Sequence, residues 1–221
     1  MEGLDCGCGM EARLTFSLDV IMEDVYSALT RGIHRPKKHK VALFLCGAAG
    51  TGKTSTMRNI LKDVGIKGTF VYLNLDVIAD MTGSRETAFQ MFGRLVRRTM
   101  DDGYSFVFDG TCRDTKSMPI RISTAHQNGY RVVIGITYAT LNTALHRILH
   151  RTHQPVPEDI AREIYRQFSN VGESFMKLKT VDDVYLYNNE HTSTLILHKD
   201  KKSVQCFHSD SDFYFDVSGY C

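Results

Sequence analysis

Eight residues, Gly47-Ala-Ala-Gly-Thr-Gly-Lys-Thr54, constrain the fold of this chain more than any other feature. They satisfy the pattern G-x-x-x-x-G-K-[ST]. They follow the apolar run Val41-Ala-Leu-Phe-Leu-Cys46, which predicts a buried strand, and a helix is expected from Ser55 to Leu61. A glycine-rich loop between a buried strand and a helix is typical of a phosphate-binding loop.

Each residue type in this loop has a chemical reason. Glycines let the backbone curl so that successive N–H groups point at phosphate oxygens. Lys53 is expected to reach the β- and γ-phosphates of ATP or GTP, and the Thr54 hydroxyl to ligate Mg²⁺. With two later arginines, the predicted nucleotide-binding residues are Gly47, Ala48, Ala49, Gly50, Thr51, Gly52, Lys53, Thr54, Ser55, Arg147 and Arg151.

The rest of the chain alternates apolar runs with helical patterns, which predicts an α/β fold with a parallel sheet covered on both faces. Expected strands are 41–46, 69–74, 105–108, 131–137, 184–187 and 193–198, and expected helices are 11–31, 55–61, 86–100, 120–127, 141–150 and 157–168. We divide the chain into an N-terminal tail, amphipathic helix and basic connector (1–39), a nucleotide-binding domain with a lid near 147–157 (40–190), and a C-terminal strand and tail (191–221).

Composition limits the partners. The chain has 27 basic and 25 acidic residues, so its net charge of +2 gives no general attraction to nucleic acid or membrane. No apolar run approaches the ~20 residues that span a bilayer. Of the six cysteines, Cys46 and Cys112 are expected as ordinary core thiols, and Cys6 and Cys8 lack a matching zinc pair. These features favour a reducing, cytoplasmic compartment.

Acidic residues follow the second and third predicted strands. Asp76 is placed to orient an attacking hydroxyl and accept its proton, and Asp80 is the second candidate. Asp109, after Phe106-Val-Phe108, is placed to hold Mg²⁺ or to bind the acceptor, and Thr111 and Arg113 are expected in the same crevice. The alternatives are that Asp76 caps a turn and that Asp109 is a buried acid satisfied by the loop.

Arg147 and Arg151 lie four residues apart and so share a helix face before the proline-containing segment 152–157. Such a segment suits a lid, with Arg151 spreading the charge that develops on a transferred phosphoryl group. The alternative is a solvated basic face. His150 and His153 are interpreted as lid surface rather than a metal pair.

These motifs together resemble the zeta-toxin family of P-loop kinases and, more distantly, polynucleotide 5′-hydroxyl kinases. The resemblance covers about residues 40–189 and includes Asn74-x-Asp76 and the acid-Gly-Thr-x-Arg segment Asp109 to Arg113. It implies that Asp76 is the catalytic base and that Asp109, Thr111 and Arg113 help hold the acceptor. An arginine commonly follows the first acid by about one turn in this family, whereas here that position is Ala79 and the nearest arginine is Arg85.

The resemblance implies a kinase that moves the γ-phosphate of ATP to a hydroxyl of a small nucleotide-like or sugar-nucleotide acceptor, with Lys53, Asp76 and Arg151 as catalytic residues. A first alternative is a polynucleotide 5′-hydroxyl kinase whose basic residues Arg94, Arg97 and Arg98 take a strand end. A second is a non-catalytic ATP-binding regulatory protein. Whether a protein inhibitor exists is left open.

Overall fold

The helices and strands of the computed structural model follow the predicted alternation. The structure describes residues 8–65, 69–151, 156–209 and 212–221, and in residues 8–16 and Asn170 only the backbone. The α-helices in these residues are α1 Cys8–Thr30, α2 Lys53–Asp63, α3 Leu75–Thr82, α4 Arg85–Asp101, α5 Ser117–Gln127, α6 Leu141–Leu149 and α7 Glu158–Val171. Short 3-10 helices cover Gly172–Lys177 and Ser218–Tyr220.

One mixed sheet of seven strands forms the centre of the molecule. The strands are β1 Val41–Cys46, β2 Val71–Asn74, β3 Phe106–Gly110, β4 Arg131–Tyr138, β5 Asp183–Asn188, β6 Thr194–Lys199 and β7 Val204–Cys206. Their order is β2-β3-β1-β4-β5-β6-β7. The pairs from β2 to β5 are parallel, whereas β6 and β7 add antiparallel at one edge.

Alternating side chains of the strands fill two apolar layers, as the two-residue period of a strand requires. In β1, Phe44 packs into the layer that contains residues of α1, α4, α5 and α7, and its neighbour Leu45 packs on the opposite face. The opposite layer is closed by α2 through Ile60 and Val64. Helices on both faces leave the carboxyl ends of β1 to β4 at one edge, where ligands bind in sheets of this type.

The structure corrects the sequence-based expectation in three places. In the C-terminal β extension, β7 was not predicted because its residues are exposed and carry no apolar alternation. The second strand ends at Asn74 and α3 begins at once, so Asp76 lies in a first helical turn. Pro157, expected inside the first turn of α7, is its N-cap.

Two disulfides differ from the expectation of free thiols. Cys46 at the end of β1 is joined to Cys112, and Cys206 of β7 is joined to Cys221. Disulfides are uncommon in reducing compartments, so the cysteines no longer favour the cytoplasm, and that location stays a prediction. Cys6 and Cys8 lie where no side chain is described, so the view that they bind no metal is untested.

Among the described residues, no helix combines the length and the apolar character that crossing a membrane requires.

Candidate functional site

The phosphate-binding loop joins β1 to α2 at the carboxyl edge of the sheet, as predicted. Gly47, Gly50 and Gly52 all have positive φ, at 155°, 79° and 83°. A Cβ on Gly50 would lie 2.3 Å from the carbonyl oxygen of Ala144, so the loop also packs too closely on α6 to admit a side chain there. Gly52 is the left-handed N-cap of α2, which directs the first N–H groups of that helix into the loop.

Side chains of the loop itself fix its shape. Thr51 is fully buried, and its hydroxyl donates to the carbonyl of Ala48 (2.8 Å) and lies 2.9 Å from the hydroxyl of Thr137. Ala49 packs against the small apolar cluster between α6 and α7. Thr54 and Ser55 are exposed in the first turn of α2, where they face solvent and are accessible to a ligand.

Two residues brace the loop from outside, Asn189 just after β5 and Arg147 of α6. The buried amide of Asn189 donates to the Thr51 carbonyl (2.7 Å) and to the Thr56 hydroxyl (2.7 Å). Arg147 donates to the carbonyls of Gly50 (3.5 Å) and Asn189 (2.8 Å). Arg147, predicted to bind nucleotide, is therefore placed as a support of the loop, and direct nucleotide contact by it stays a prediction.

Lys53 is folded onto the start of the loop, where its ammonium donates to the carbonyls of Gly47 (2.8 Å) and Ala48 (3.0 Å). Burial lowers the pKa of this ammonium below its ordinary value. The Asp109 carboxylate opposes that shift, the Arg151 guanidinium adds to it, and the Asp76 carboxylate opposes it. Lys53 thus lies within electrostatic reach of the other charged residues predicted for the site: Asp76, Asp109 and Arg151.

Asp109 is a buried acid near the end of β3, and its two carboxylate oxygens have different surroundings. Oδ2 accepts a hydrogen bond of 2.5 Å from the Tyr72 hydroxyl. Oδ1 is buried and has no hydrogen-bond partner among the described residues. A buried carboxylate oxygen without a donor is costly unless a ligand satisfies it, so the prediction of a cation ligand at Asp109 fits this geometry.

Tyr72 connects the two residues predicted to ligate the metal. Burial raises the pKa of its phenol well above the ordinary value, the Asp109 carboxylate raises it further, and a hydrogen bond with Thr54 lowers it. The phenol therefore stays protonated and donates to Asp109 while lying next to the Thr54 hydroxyl. Sequence analysis missed Tyr72 because an aromatic residue in a strand reads as core.

Asp76 is held at the start of α3 by the cap before it. The Asn74 side chain accepts from the backbone N–H groups of Asp76 (2.9 Å) and Val77 (3.1 Å), so Asn74 caps α3. The Asp76 carboxylate accepts from Arg85 Nη1 at 2.7 Å. Asp80 lies one turn further along the same helix.

The predicted acceptor segment follows β3. Cys112 has a left-handed backbone (φ 52°) and is tied to Cys46, the residue before the loop. Arg113 donates to Gln167 of α7 at 2.9 Å, so the segment links β3 to that helix. Thr111 is partly buried. Contact of Thr111 or Arg113 with an acceptor stays a prediction.

The predicted lid is described only at its two ends. Arg151 is exposed just after α6, and residues 152–155, including His153, lie outside the described residues. His150 Nδ1 lies 2.7 Å from the carbonyl of His146, and the two rings are 4.3 Å apart. His150 is therefore an exposed residue at the end of α6, and its interpretation as lid surface together with His153 stays a prediction.

The arginines proposed to bind the end of a nucleic acid strand each form an ion pair with a carboxylate of this chain. Arg94 pairs with Asp19, Arg97 with Asp101 and Arg98 with Glu23. Each positive charge on this face of α4 is thus matched by a carboxylate, which weakens the electrostatic case for strand binding.

Known structures with this fold include toxin proteins. The chain is similar to a structure from the PezAT chromosomal toxin-antitoxin system of the human pathogen Streptococcus pneumoniae, with 17% identity, TM-score 0.61, and 80% of this chain and 79% of that one covered. It is also similar to the AvrRxo1-ORF1:-ORF2 complex, in its native form and in a structure with ATP, each with 14% identity, TM-score 0.64, and 89% and 69% covered. At these identities the likeness shows the fold alone.

No curated protein sequence matches the chain. The family model described as Zeta toxin matches residues 24–202, which include the loop, both acids, and the ends of the predicted lid. Over that span the sequence matches the family model, and the fold is that of the similar structures. This chain belongs to the zeta-toxin family.

Proposed function

We propose that this protein is a P-loop kinase that transfers the γ-phosphate of ATP to a hydroxyl of a small nucleotide-like or sugar-nucleotide acceptor. One observation carries the proposal: the Lys53 ammonium donates to carbonyls at the start of the phosphate-binding loop, with the charges of Asp76, Asp109 and Arg151 within its electrostatic reach. Two acids and two cations around a phosphate cradle supply the groups that phosphoryl transfer needs.

Support for the nucleotide comes from the loop and from a relative. Three positive-φ glycines and the N-terminus of α2 form an anion cradle for the triphosphate. The similar AvrRxo1-ORF1:AvrRxo1-ORF2 structure is described with ATP. We take ATP as the phosphoryl donor here, and the same cradle suits GTP.

Magnesium fits the residues present. The unpaired Oδ1 of Asp109 and the exposed Thr54 hydroxyl are oxygen donors, which Mg²⁺ prefers. The described residues contain no group of three or more His, Cys, Asp or Glu side chains that could hold a metal ion by themselves. This suits an ion that is bound together with the phosphates, and its charge would offset that of the phosphate oxygens.

In the proposed transfer step, residues of this chain take up the proton and stabilise the charge while one bond to phosphorus forms and another breaks. The acceptor hydroxyl oxygen forms a bond to the γ-phosphorus as the bond from that phosphorus to the β,γ-bridging oxygen breaks, leaving ADP. The hydroxyl proton passes to the Asp76 carboxylate, which Arg85 holds by its 2.7 Å contact. Lys53 leaves the loop carbonyls for the phosphates, and Arg151 stabilises the charge that develops on the transferred group.

The acceptor is proposed to lie between α3 and the segment after β3, where Thr111 and Arg113 stand. Closure of the lid over it would exclude water, so that the phosphoryl group reaches the acceptor rather than solvent. The ion pairs of Arg94, Arg97 and Arg98 make a polynucleotide end the weaker choice of acceptor.

A protein partner is part of the proposal. The similar structures come from a toxin-antitoxin system and from a two-protein complex. We therefore propose that a protein inhibitor controls this kinase. We also propose that the kinase acts in the cytoplasm, where its two disulfides would be unusual.

The direct test is incubation of the protein with γ-labelled ATP and Mg²⁺ against sugar nucleotides, nucleosides and 5′-hydroxyl oligonucleotides. Label on a sugar nucleotide or nucleoside supports the proposal. Label on oligonucleotides alone would favour the polynucleotide kinase. ATP binding without label on any member would favour the non-catalytic alternative.

A further inference from the structure

A tyrosine from outside the family-matched region touches the phosphate-binding loop. The family model ends at residue 202, whereas residues 212–221, which we call the strap, pack against the large apolar layer beside α7. Tyr214 of the strap inserts its ring among Tyr138 of β4 and Tyr165 and Phe168 of α7, at centroid distances of 5.1, 5.3 and 4.8 Å.

The Tyr214 hydroxyl makes two hydrogen bonds at the base of the loop. It accepts from the backbone N–H of Ala48 at 3.1 Å and donates to the carbonyl of Thr137 at 3.1 Å. Ala48 is fully buried, so water cannot replace the acceptor if the hydroxyl is lost. Burial also raises the pKa of the Tyr214 phenol above its ordinary value, so the hydroxyl keeps the proton that it donates.

The contact lies on the same peptide group that holds Lys53. The Ala48 N–H and the Gly47 carbonyl belong to one planar trans unit and point in opposite directions. Tyr214 holds the N–H side, and the Lys53 ammonium holds the carbonyl side at 2.8 Å. The orientation of this peptide group therefore helps to place the Lys53 ammonium, which also donates to the carbonyl of Ala48 at 3.0 Å.

We propose that Tyr214 is a positioning residue of the phosphate-binding loop, whose hydroxyl fixes the Gly47–Ala48 peptide group and thereby the resting place of Lys53. Without the hydroxyl, the buried Ala48 N–H gains a partner only if the loop changes shape. The binding-competent loop then becomes a smaller fraction of the molecules, and apparent nucleotide affinity falls by that fraction.

Besides the contacts of Tyr214, a disulfide and two hydrogen bonds hold the strap in place. Cys221 is bonded to Cys206 of β7, the Tyr220 hydroxyl donates to Glu173 at 2.8 Å, and Asn188 donates to the carbonyl of Asp212 at 3.2 Å. Tyr220 thus provides a matched control, because it is a strap tyrosine with a hydrogen-bonded hydroxyl that does not reach the loop.

The test compares Tyr214→Phe with Tyr220→Phe, using the dissociation constant for ATP and the melting temperature of each full-length variant. An unpaired buried donor leads us to expect a dissociation constant raised roughly tenfold in Tyr214→Phe. Tyr220→Phe is expected to stay within about twofold of the parent. Tyr214→Met, which also lacks the hydroxyl, repeats the measurement if the phenylalanine variant folds poorly.

An unchanged dissociation constant in Tyr214→Phe, or equal changes in the two tyrosine variants, would overturn the role of Tyr214. The inference rests only on the nucleotide-binding part of the proposed function. Failure of the parent to bind ATP would contradict that function, whereas a binding parent beside an unaffected Tyr214→Phe contradicts the positioning role alone.

Discussion

Arg85 Nη1 lies 2.7 Å from Oδ1 of Asp76, so the acid at the start of α3 has a cationic partner from the first residue of α4. The residue one turn after Asp76 in the chain is Ala79, where the resemblance to zeta-toxin kinases leads us to expect an arginine. The pairing shows that a cation reaches the same carboxylate from the next helix. Both side chains are largely exposed, so the pair orients Asp76 more than it stabilises the fold.

The first prediction concerns this pair. Arg85→Gln removes the cation that contacts Asp76, and we expect phosphoryl transfer to fall roughly tenfold to a hundredfold because a less well oriented base is a poorer base. ATP affinity should change little. Steady-state kinetics with the labelled acceptor, beside ATP titration, measure both quantities.

Arg97→Gln is the control for that variant. Arg97 also lies on α4 and pairs with an aspartate, Asp101, at similar exposure but away from the loop. Equal losses of transfer in the two variants would show that Arg85 acts only through the surface charge of α4.

The second prediction concerns Lys53. Lys53→Ala removes the ammonium that now donates to two loop carbonyls, and the fold should survive because the loop keeps its braces from Asn189 and Thr51. ATP binding or turnover should fall severely, by roughly a hundredfold or more. Calorimetric titration with ATP checks this, with the exposed Lys62→Ala on α2 as control. Parent-like turnover in Lys53→Ala would refute the assignment of Lys53 to the phosphates.

The third prediction concerns the lid. Arg151 is exposed just after α6, and we propose that it meets the transferred group. Arg151→Ala should lower kcat for transfer more than it weakens ATP binding, because developing charge is what it stabilises. A loss confined to ATP affinity would mean a ground-state contact only, and no change in either quantity would indicate a solvated basic face.

The fourth prediction concerns the bond between Cys46 and Cys112, which are 66 residues apart. In the chain-entropy model a cross-link over such a loop stabilises the protein by about 4 kcal/mol, against about 3 kcal/mol for the 15-residue separation of Cys206 and Cys221. Urea unfolding should show a larger loss in the free energy of unfolding when Cys46 and Cys112 are replaced by alanine than when Cys206 and Cys221 are. Free thiols at all four positions in the native protein would contradict both bonds.

Local patterns predicted the loop, the core strands and the order of the helices, because each of these depends on neighbours in the chain. The same reasoning placed Asp76 at a strand end, although Asn74 is a favoured helix cap and starts α3 there. Arg85 was noted only as the nearest arginine, since its contact with Asp76 depends on the angle between two helices.

The residues that sequence analysis missed reach the site from distant parts of the chain. Asn189 contacts Thr51 across 138 positions and Tyr214 contacts Ala48 across 166 positions. An asparagine after a strand and a tyrosine in a polar tail carry no periodic signal. Only the fold shows that these two polar groups support the phosphate-binding loop.

In the proposed reaction, Asp76 accepts the proton of an acceptor hydroxyl. Asp76→Asn keeps the size of the side chain but removes the charge and the proton acceptor, so ATP binding should remain near that of the parent. Transfer of label from γ-labelled ATP should fall by roughly 10²-fold or more, the usual effect of losing a general base. Asp80→Asn, one turn along α3, should retain most of the transfer. Full transfer by Asp76→Asn, with transfer abolished in Asp80→Asn, would contradict this account.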